Sequence, residues 1–372
     1  MKSLPGNTFS LRLFHRGACS FGLRSGVFMG LLLSTATLLA ADYQFRDPLS
    51  QPALFSQSPQ TQPAFAVAEA GTRLVAVGPR GMILVSEDKG TSWHQSPVGV
   101  SSDLTSVYFI NGQKGWAAGH DGVILHSEDG GESWVKQLDG RQAEYEFIQH
   151  YKRRVDAGQL GYQRYLDELA ANFRSGPSLP YLGIWFENEM VGYALGSFGM
   201  LVATFDGGKS WKPWLDRIDN PQALNLNAVR AIDGELYLVG ERGAVFRLDR
   251  SQGRFVSLPT GYQGSFFGIT GGSGVLLAFG LRGSVWRSAD SGRSWNRVES
   301  GVTGSISDGD SSADGRKVLL VSATGDVVES LDAGLSFHSL TVPPKAYTGA
   351  RLLPGSAVLA TLQGIYLLPL NP

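Results

Sequence analysis

The chain has 372 residues, of which 42% are hydrophobic and 17% are charged, and its formal net charge at pH 7 is −1. This hydrophobic content excludes an intrinsically disordered protein. The near-neutral charge argues against nucleic-acid binding, which needs a basic surface. Glycine is abundant, with 48 residues, as is typical of proteins built from many short strands and turns.

The first forty residues have the features of a secretory signal. An apolar run, VFMGLLLSTATLLA, occupies residues 27–40 and is shorter than the ~20 residues that cross a bilayer. Four basic residues and no acidic residue precede it: Lys2, Arg12, Arg16 and Arg24. We therefore predict a cleaved signal peptide at residues 1–40 and an exported, periplasmic protein. An uncleaved leader would instead anchor the protein to the inner membrane, facing the periplasm.

A short motif, Gly-x-x-Gly followed by a β-rich segment, recurs along the rest of the chain. Five copies begin at Gly78, Gly119, Gly196, Gly240 and Gly280, and two decayed copies end at Gly325 and Gly364. The copies follow each other at about 40 residues, the length of one four-stranded propeller blade. The step from Gly122 to Gly199 is nearly twice as long and must contain an insertion. Seven copies predict an all-β fold, a seven-bladed β-propeller.

The seventh unit is incomplete, because no further strand follows residues 365–370. An uncovered sheet edge at this place would pair readily with other chains. We therefore predict that an N-terminal segment, residues 41–60, closes the last blade. Its part at Phe45–Phe55 would form the missing outer strand, and residues 61–372 would form the propeller itself.

Residues 141–180, between the second and third units, lack the alternation of strands. Apolar side chains recur there at helical spacing in two stretches, which Gly158 and Gly161 separate. The residues that follow this spacing are Glu144, Ile148, Tyr151 and Val155 in the first stretch and Tyr162, Leu166, Leu169 and Phe173 in the second. We predict a helical hairpin inserted between blades 2 and 3.

A second motif, Ser/Thr-x-Asp-x-Gly-x-Ser-aromatic, follows the glycine motif in five units. It reads SEDKGTSW at 86–93, SEDGGESW at 127–134, TFDGGKSW at 204–211, SADSGRSW at 288–295 and SLDAGLSF at 330–337. The carboxylate of this aspartate motif can accept hydrogen bonds from its own turn, and the aromatic ring offers an apolar face to the next blade. We therefore predict a structural role for Asp88, Asp129, Asp206, Asp290, Asp332, Trp93, Trp134, Trp211 and Trp295.

The two motifs should lie on opposite faces of the ring. In each blade the turn between strands 2 and 3 shares a face with the connections between blades, whereas the turn between strands 3 and 4 lies on the other face. The glycine motifs and the helical insertion are therefore predicted on one face, and the aspartate motifs on the opposite face.

Arginine occupies the same position of the glycine motif in three units. Clustered guanidinium groups suit carboxylates, so we predict that these arginines surround the channel mouth and bind an acidic partner segment. Three basic residues of the insertion would overhang the same mouth. The predicted partner-binding residues are Arg80, Arg242, Arg282, Lys152, Arg153 and Arg154. The alternative is that these residues are ordinary exposed side chains, repeated only because the units were duplicated.

The aspartate motifs resemble the Asp-box, or bacterial neuraminidase repeat. Together with the glycine motifs and the seven units, they resemble the photosystem II stability/assembly factor family over about residues 65–372. This resemblance implies a non-catalytic propeller that binds membrane-protein subunits through an arginine-rich face, to which Arg80, Arg242 and Arg282 would correspond. The helical insertion departs from the plant and cyanobacterial pattern, and similar propellers of non-photosynthetic bacteria are often encoded beside membrane exporters. We therefore expect a monomeric scaffold for a membrane protein complex, such as an exporter, without cofactor, metal or nucleic-acid partner.

A sialidase-like glycosidase, or a carbohydrate-binding propeller, is the alternative function. Phe45-Arg46-Asp47-Pro48 is similar to the sialidase segment that supplies an arginine for the substrate carboxylate. Such an enzyme also needs two further arginines, a Tyr nucleophile with a Glu partner and a proton donor, and no spacing in this chain nominates them. Sialidase rings have six blades, whereas this chain has seven units. The sequence therefore favours a non-catalytic scaffold.

Overall fold

Each repeat unit folds into one small antiparallel sheet, which forms one blade of a β-propeller. The computed structural model describes residues 46–370. Within them the chain forms seven sheets, six of four strands and one of three, and each sheet consists of strands that are consecutive in sequence. The predicted seven-bladed all-β propeller is therefore confirmed.

The blades are numbered in chain order, and their strands are numbered from the central channel outward. Blade 1 consists of β1 (Ala66–Ala70), β2 (Arg73–Val77), β3 (Ile83–Ser86) and β4 (His94–Gln95). Blade 2 consists of β5 (Leu104–Phe109), β6 (Gly115–Gly119), β7 (Ile124–Ser127) and β8 (Val135–Leu138). Blade 3 consists of β9 (Tyr181–Phe186), β10 (Gly192–Gly196), β11 (Leu201–Thr204) and β12 (Lys212–Pro213).

The remaining blades follow without a further insertion. Blade 4 consists of β13 (Leu226–Ile232), β14 (Glu235–Gly240), β15 (Val245–Asp249) and β16 (Arg254–Ser257). Blade 5 consists of β17 (Phe266–Gly272), β18 (Val275–Gly280), β19 (Val285–Ser288) and β20 (Asn296–Val298). Blade 6 consists of β21 (Ile306–Ser311), β22 (Val318–Ser322), β23 (Val327–Ser330) and β24 (His338–Ser339). Blade 7 consists of β25 (Tyr347–Leu353), β26 (Ser356–Thr361) and β27 (Gly364–Pro369).

The ring closes between blades 7 and 1 without a shared strand. The Thr348 hydroxyl in β25 donates to the Ala64 carbonyl oxygen just before β1, at 2.6 Å, and the Ala64 N–H donates to the Thr361 carbonyl oxygen at 2.9 Å. The Ser307 hydroxyl makes the equivalent bond from blade 6 to the Tyr347 carbonyl oxygen, at 2.7 Å. The last junction therefore uses the same side-chain-to-carbonyl bond as its neighbour.

Residues 46–55 of the N-terminal segment pack on blades 1 and 2, so the prediction that they form the outer strand of blade 7 is wrong, whereas Pro59–Thr61 lies against β27. The Ala53 N–H donates to the Val98 carbonyl oxygen at 2.9 Å, and Leu49 and Ala53 are buried in the core that blades 1 and 2 share. Within residues 46–370, β27 has no strand on its outer side. The segment buries its apolar side chains between two blades instead of lengthening a third. The predicted signal peptide at 1–40 and residues 41–45 lie outside the described residues.

The predicted helical hairpin is confirmed as α1 (Gly140–Asp156) and α2 (Gln163–Asn172), between β8 and β9. Asp139 caps α1, because its Oδ1 accepts the N–H groups of Arg141 and Gln142 at 3.0 and 3.1 Å. Of the described helices, none is long and apolar enough to cross a bilayer.

The buried face of α1 shares Tyr151 with the predicted stripe but is otherwise centred about one residue before it. Ala143, Phe147 and Tyr151 are buried, whereas Glu144 and Val155 are only partly covered. Spacing alone identified a helix, but the large ring of Phe147 decides which side packs on the propeller. In α2 the buried Leu169 agrees with the second predicted stripe, as does Phe173 just beyond the helix.

Candidate protein-binding face

The glycine motif forms the turn between the second and third strands of a blade. Its third residue has a left-handed backbone, with φ between 54 and 57°, in five blades: Arg80, Asp121, Phe198, Arg242 and Arg282. The glycine that follows must lack a side chain. A Cβ on Gly81 would lie 2.1 Å from the Val100 carbonyl oxygen, and one on Gly283 would lie 1.8 Å from the Val302 carbonyl oxygen. In both blades, the segment that leads to the next blade therefore packs directly against this turn.

All three predicted arginines of this motif are exposed on the face that carries the connections between blades. They belong to blades 1, 4 and 5 and lie in the turns between the second and third strands, whereas the first strands line the channel. Arg242 Nη1 donates to Gln222 Oε1 at 2.7 Å. Among the described residues, neither Arg80 nor Arg282 has a side-chain ion pair. Their charges are therefore open to a partner.

The three basic residues predicted on the hairpin differ in their contacts. Lys152 pairs with Asp156 at 2.7 Å. The Arg154 guanidinium lies over the Tyr162 ring, 4.6 Å from its centroid, and donates to the Tyr162 hydroxyl at 2.7 Å. Arg153 is exposed and forms no ion pair with any residue that the structure describes. Arg154 thus stabilises the hairpin, whereas Arg153 is exposed and is the one of the three without an ion pair or ring contact among the described residues.

A groove links the hairpin to Arg242, and the sequence did not predict it. Three cavities of about 440, 110 and 470 Å³ follow one another along this face. The first two share Arg164 and Tyr165, and the last two share Asn220 and Pro221. The walls come from the insertion, from the connection after blade 3 and, beside Arg242, from blade 4 and the connection that follows it. The insertion and the connections carry no repeat, so no periodic signal in the sequence marked their residues.

The aspartate motifs lie on the opposite face, where each carboxylate is used inside its own turn. Asp129 Oδ1 accepts from the Ser127 hydroxyl at 2.8 Å and from the Ser133 N–H at 2.9 Å, while Oδ2 accepts from the Ser133 hydroxyl at 2.6 Å. Equivalent bonds are formed by Asp88, Asp206, Asp290 and Asp332. These carboxylates therefore stabilise the turns between the third and fourth strands.

The aromatic residue of the motif directly precedes the fourth strand. The indole N–H donates to the carbonyl oxygen of a glycine in the same motif, at 2.9–3.1 Å, in Trp93, Trp134 and Trp295. Trp211 is also buried, but its indole N–H has no partner among the described residues. The Trp211 ring instead contacts Phe186 edge-on, with the ring centroids 5.9 Å apart.

Replacing Asp129 with alanine should lower the free energy of unfolding by about 1–3 kcal/mol, because the turn N–H and hydroxyl groups lose their acceptor. Urea unfolding of the purified protein measures this loss. Glu128→Ala is the matched control, since Glu128 is an exposed neighbour for which no hydrogen bond is seen in the described part of the chain. Equal stability of the two variants would contradict the structural role of the motif.

Stability should also fall in acid because of these motifs. The hydroxyl and N–H of Ser92 hold the pKa of Asp88 at about 2, below the 3.8 of an unperturbed carboxyl. The lowered pKa stabilises the fold above pH 3.8, and this contribution disappears as the pH falls through about 2. Between those two pH values, the urea midpoint of the wild type should drop more steeply than that of Asp88→Asn. Identical slopes would show that Asp88 titrates as in the unfolded chain.

The central channel is a cavity of about 410 Å³ lined by the first strands of all seven blades. Arg230 and Arg351 line it, and both contact Asp310, with Arg351 Nη1 at 3.3 Å from Asp310 Oδ2. Burial raises the pKa of Asp310, but the two guanidinium groups outweigh that effect and hold the pKa below its usual value. Both channel arginines are therefore already paired with a carboxylate of the protein itself, that of Asp310.

The residue expected to bind a sialoside carboxylate is not in this channel. Arg46 is exposed and does not line the cavity, and Asp47 beside it forms an ion pair with Arg141 at 2.8 Å. Within residues 46–370, His, Asp and Glu do not gather in any group of three that could hold a metal ion.

Comparison with known proteins identifies the family. The family model described as "Photosynthesis system II assembly factor YCF48" matches residues 60–142 and 178–340, which is most of the chain. The protein belongs to the YCF48 family. The gap in the match, residues 143–177, coincides with the helical hairpin, so the hairpin is an addition to the propeller of this family. The search of curated proteins found no match.

Solved structures of YCF48 proteins share the fold. The solved structure of YCF48 bound to D1 peptide is 18% identical, with a TM-score of 0.60 over 87% of this chain and 100% of that chain. YCF48 from Cyanidioschyzon merolae is 15% identical, with a TM-score of 0.57 over 86% of this chain and 98% of that chain. U3-55K is 12% identical, with a TM-score of 0.61 over 86% of this chain and 98% of that chain. These likenesses establish the β-propeller fold.

Proposed function

We propose that this protein is a non-catalytic assembly factor that binds an acidic segment of a membrane protein complex. The observation that carries the proposal is the placement of Arg80, Arg242 and Arg282, exposed in the same left-handed turn on one face of the ring. Membership of the YCF48 family supports an assembly role. The solved complex of YCF48 with a D1 peptide supports a peptide of a membrane protein as the kind of ligand.

The chemistry of this face favours carboxylates on an extended chain. Guanidinium groups bind carboxylates through paired hydrogen bonds. The cavity beside Arg242 is also lined by Pro221, Pro259 and Tyr262, so it offers an apolar wall to the segment whose acidic group Arg242 would bind. An exporter subunit is the partner we propose, with residues 1–40 as the export signal and a monomeric propeller in the periplasm.

The absence of catalysis is part of the same proposal. A sialidase needs free arginines for the substrate carboxylate, and in this channel Arg230 and Arg351 both contact Asp310. The five motif aspartates are likewise engaged within their own turns. These contacts support a scaffold better than a glycosidase.

A triple variant tests the arginine face. Arg80→Ala, Arg242→Ala and Arg282→Ala together should lower partner capture about tenfold or more, while stability changes by less than about 0.5 kcal/mol per exposed position. Capture is measured by crosslinking in native membranes followed by quantitative mass spectrometry. Added salt should weaken wild-type capture, because exposed charges are screened.

The matched control removes the same charge from the opposite face. Lys89, Lys209 and Arg293 are exposed residues of three aspartate motifs, and their triple alanine variant should capture the partner normally. An equal loss of partner capture in both triple variants would show that capture depends on total charge, and it would contradict a specific binding role of Arg80, Arg242 and Arg282.

The rival function is tested by hydrolysis of a fluorogenic sialoside. Two results together would contradict the scaffold and support a glycosidase. The wild type would hydrolyse the sialoside and Arg46→Ala would not, and the triple arginine variant would still capture the partner normally.

A further inference from the structure

The first strand of each blade contains one extra residue in the wall of the central channel. In blade 2, Leu104 pairs with Gly119 and Ser106 pairs with Ala118, so Thr105 between them is the extra residue of a β-bulge. The first strands of blades 3 to 7 have the same shift of register. A β-bulge turns the side chain of its extra residue out of the regular alternation of the strand. In each of these blades the extra residue lines the channel.

In four blades the extra residue is polar and joins its blade to the next one. Its side chain donates to a carbonyl oxygen at or just before the start of the next first strand, at 2.5–2.7 Å. These residues are Thr105, Asn227, Ser307 and Thr348. The bonds show that the bulge directs its side chain along the channel wall, towards the following blade.

In the other three blades the extra residue is apolar. In blade 1 the Phe65 N–H donates to the Val77 carbonyl oxygen at 2.7 Å, next to the pair of Ala66 and Val77, so Phe65 is the extra residue there. The equivalent residues of blades 3 and 5 are Leu182 and Phe267. All three side chains line the channel and are only partly buried. These three residues form the apolar mouth of the channel, and apolar surface in a concave site is typical of binding sites.

The apolar mouth lies at the end of the channel nearest the arginine face. Each first strand begins where the connection from the preceding blade ends, and those connections lie on the arginine face. Gly243, directly after Arg242, donates its N–H to the Gly264 carbonyl oxygen at 2.6 Å, three residues before Phe267. The turn of Arg242 therefore adjoins the mouth, and one extended segment can reach both.

Deeper in the channel, the charged groups do not favour an acidic side chain. Arg230 and Arg351 are both engaged by Asp310. Asp308 adds a second carboxylate to the channel wall, and its Oδ2 accepts the Ala350 N–H at 2.9 Å. A carboxylate that entered the channel would meet like charge, which disfavours it. An apolar side chain is thus the better occupant of the mouth, while acidic groups bind outside it, at the exposed arginines.

We propose that the apolar mouth binds one apolar side chain of the partner segment, which carries acidic residues on both sides of it for the arginines of the surrounding turns. A buried apolar anchor within a rim of polar contacts is the usual arrangement of a protein-binding site. The cavity of about 410 Å³ has room for a leucine or phenylalanine side chain. This binding mode rests on the proposed function, since the acidic residues bind the arginine face, and it specifies the residue between them.

Peptide titration of the full chain tests this binding mode. Fluorescein-labelled peptides of about nine residues carry glutamates on both sides of one central residue, leucine or serine, and are titrated at low salt, where charges are least screened. Burial of the leucine side chain should make its peptide bind at least about tenfold more tightly than the serine peptide. Equal affinities of the two peptides would overturn the apolar mouth and leave the arginine face standing.

Threonine variants show where the leucine binds. Phe65→Thr, Leu182→Thr and Phe267→Thr together introduce the residue type that blades 2 and 7 already carry at this position, so the ring should fold. In this variant the preference for leucine should fall below about threefold. The matched control is the triple threonine variant of three exposed apolar residues in the aspartate motifs, Phe205, Leu331 and Leu335. The control should keep the preference, and a mouth variant that keeps it as well would contradict the proposal.

The triple arginine variant separates this site from the proposed function. It should weaken the leucine and serine peptides by a similar factor, because both peptides carry the same glutamates, so that the preference for leucine remains. Unchanged affinities in this variant would contradict the arginine face. Failure of both peptides to bind the wild type would contradict the arginine face and the apolar mouth together.

Photo-crosslinking identifies the occupant while keeping an aromatic ring in the mouth. The full chain with p-benzoylphenylalanine in place of Phe267 should crosslink to the leucine peptide, and an excess of unlabelled leucine peptide should compete. A crosslink to residues 1–45 of the same chain, or to a second copy, that the peptide does not displace would show that the mouth is already occupied. Either crosslink would overturn the proposal, even if the threonine variant failed to fold.

Discussion

Replacing Asp310 with asparagine should lower the free energy of unfolding by about 3–5 kcal/mol. Asp310 is 3% exposed and is the carboxylate that Arg230 and Arg351 share across the channel. Removing one member of a buried ion pair leaves its partners charged and unpaired, and that penalty is large. The two guanidinium groups keep about a quarter of their surface exposed, so water reduces the penalty toward the lower end. Urea unfolding followed by circular dichroism measures the loss.

Two further variants separate this effect from a general loss of charge. Glu87→Gln breaks the exposed Arg73–Glu87 pair of 2.8 Å and should cost less than about 1 kcal/mol. Adding Arg351→Met to Asp310→Asn should recover part of the lost stability, because it removes one of the unpaired charges. If Asp310→Asn were no more harmful than Glu87→Gln, the channel pair would have no structural role.

Replacing Trp116 with alanine should cost about 3–5 kcal/mol of unfolding free energy. Trp116 is completely buried in β6, and its ring stacks on Phe186 of blade 3, with the centroids 3.5 Å apart. The same apolar cluster contains Phe147 of α1. The cavity left by alanine would therefore loosen both the junction of blades 2 and 3 and the base of the hairpin.

The phenylalanine variant is the informative control. The Trp116 indole N–H is buried without a partner among the described residues, so phenylalanine removes an unpaired polar group while keeping most of the stacking. We expect Trp116→Phe to cost about 1–2 kcal/mol. Proteolysis of the hairpin should accelerate only in the alanine variant. A small effect of alanine, similar to that of phenylalanine, would show that this contact is replaceable.

Most of the fold was predictable because its turns are specified locally. Each glycine motif needs a left-handed turn and a glycine against a carbonyl oxygen, as at Gly81, and each aspartate motif closes its own hydrogen bonds, as at Asp129. Each of these turns is specified by a motif of at most eight residues, and the number of motif copies predicts the number of blades. The hairpin was also predictable, but its buried face was not, since spacing does not tell which of two neighbouring stripes meets the propeller.

The sequence by itself determined the seven blades, the two faces and the exposed arginines. Only the tertiary structure decided which distant groups meet. Arg230, Asp310 and Arg351 come from blades 4, 6 and 7, and nothing local marks them as partners. The tertiary structure also placed Leu49 and Ala53 against blades 1 and 2 and left blade 7 with three strands in the described chain. Completing blade 7 would have formed backbone bonds, whereas the observed path buries apolar side chains. The difference in free energy between these two paths cannot be predicted from sequence patterns. It depends on the shapes of surfaces that form only when the propeller has folded.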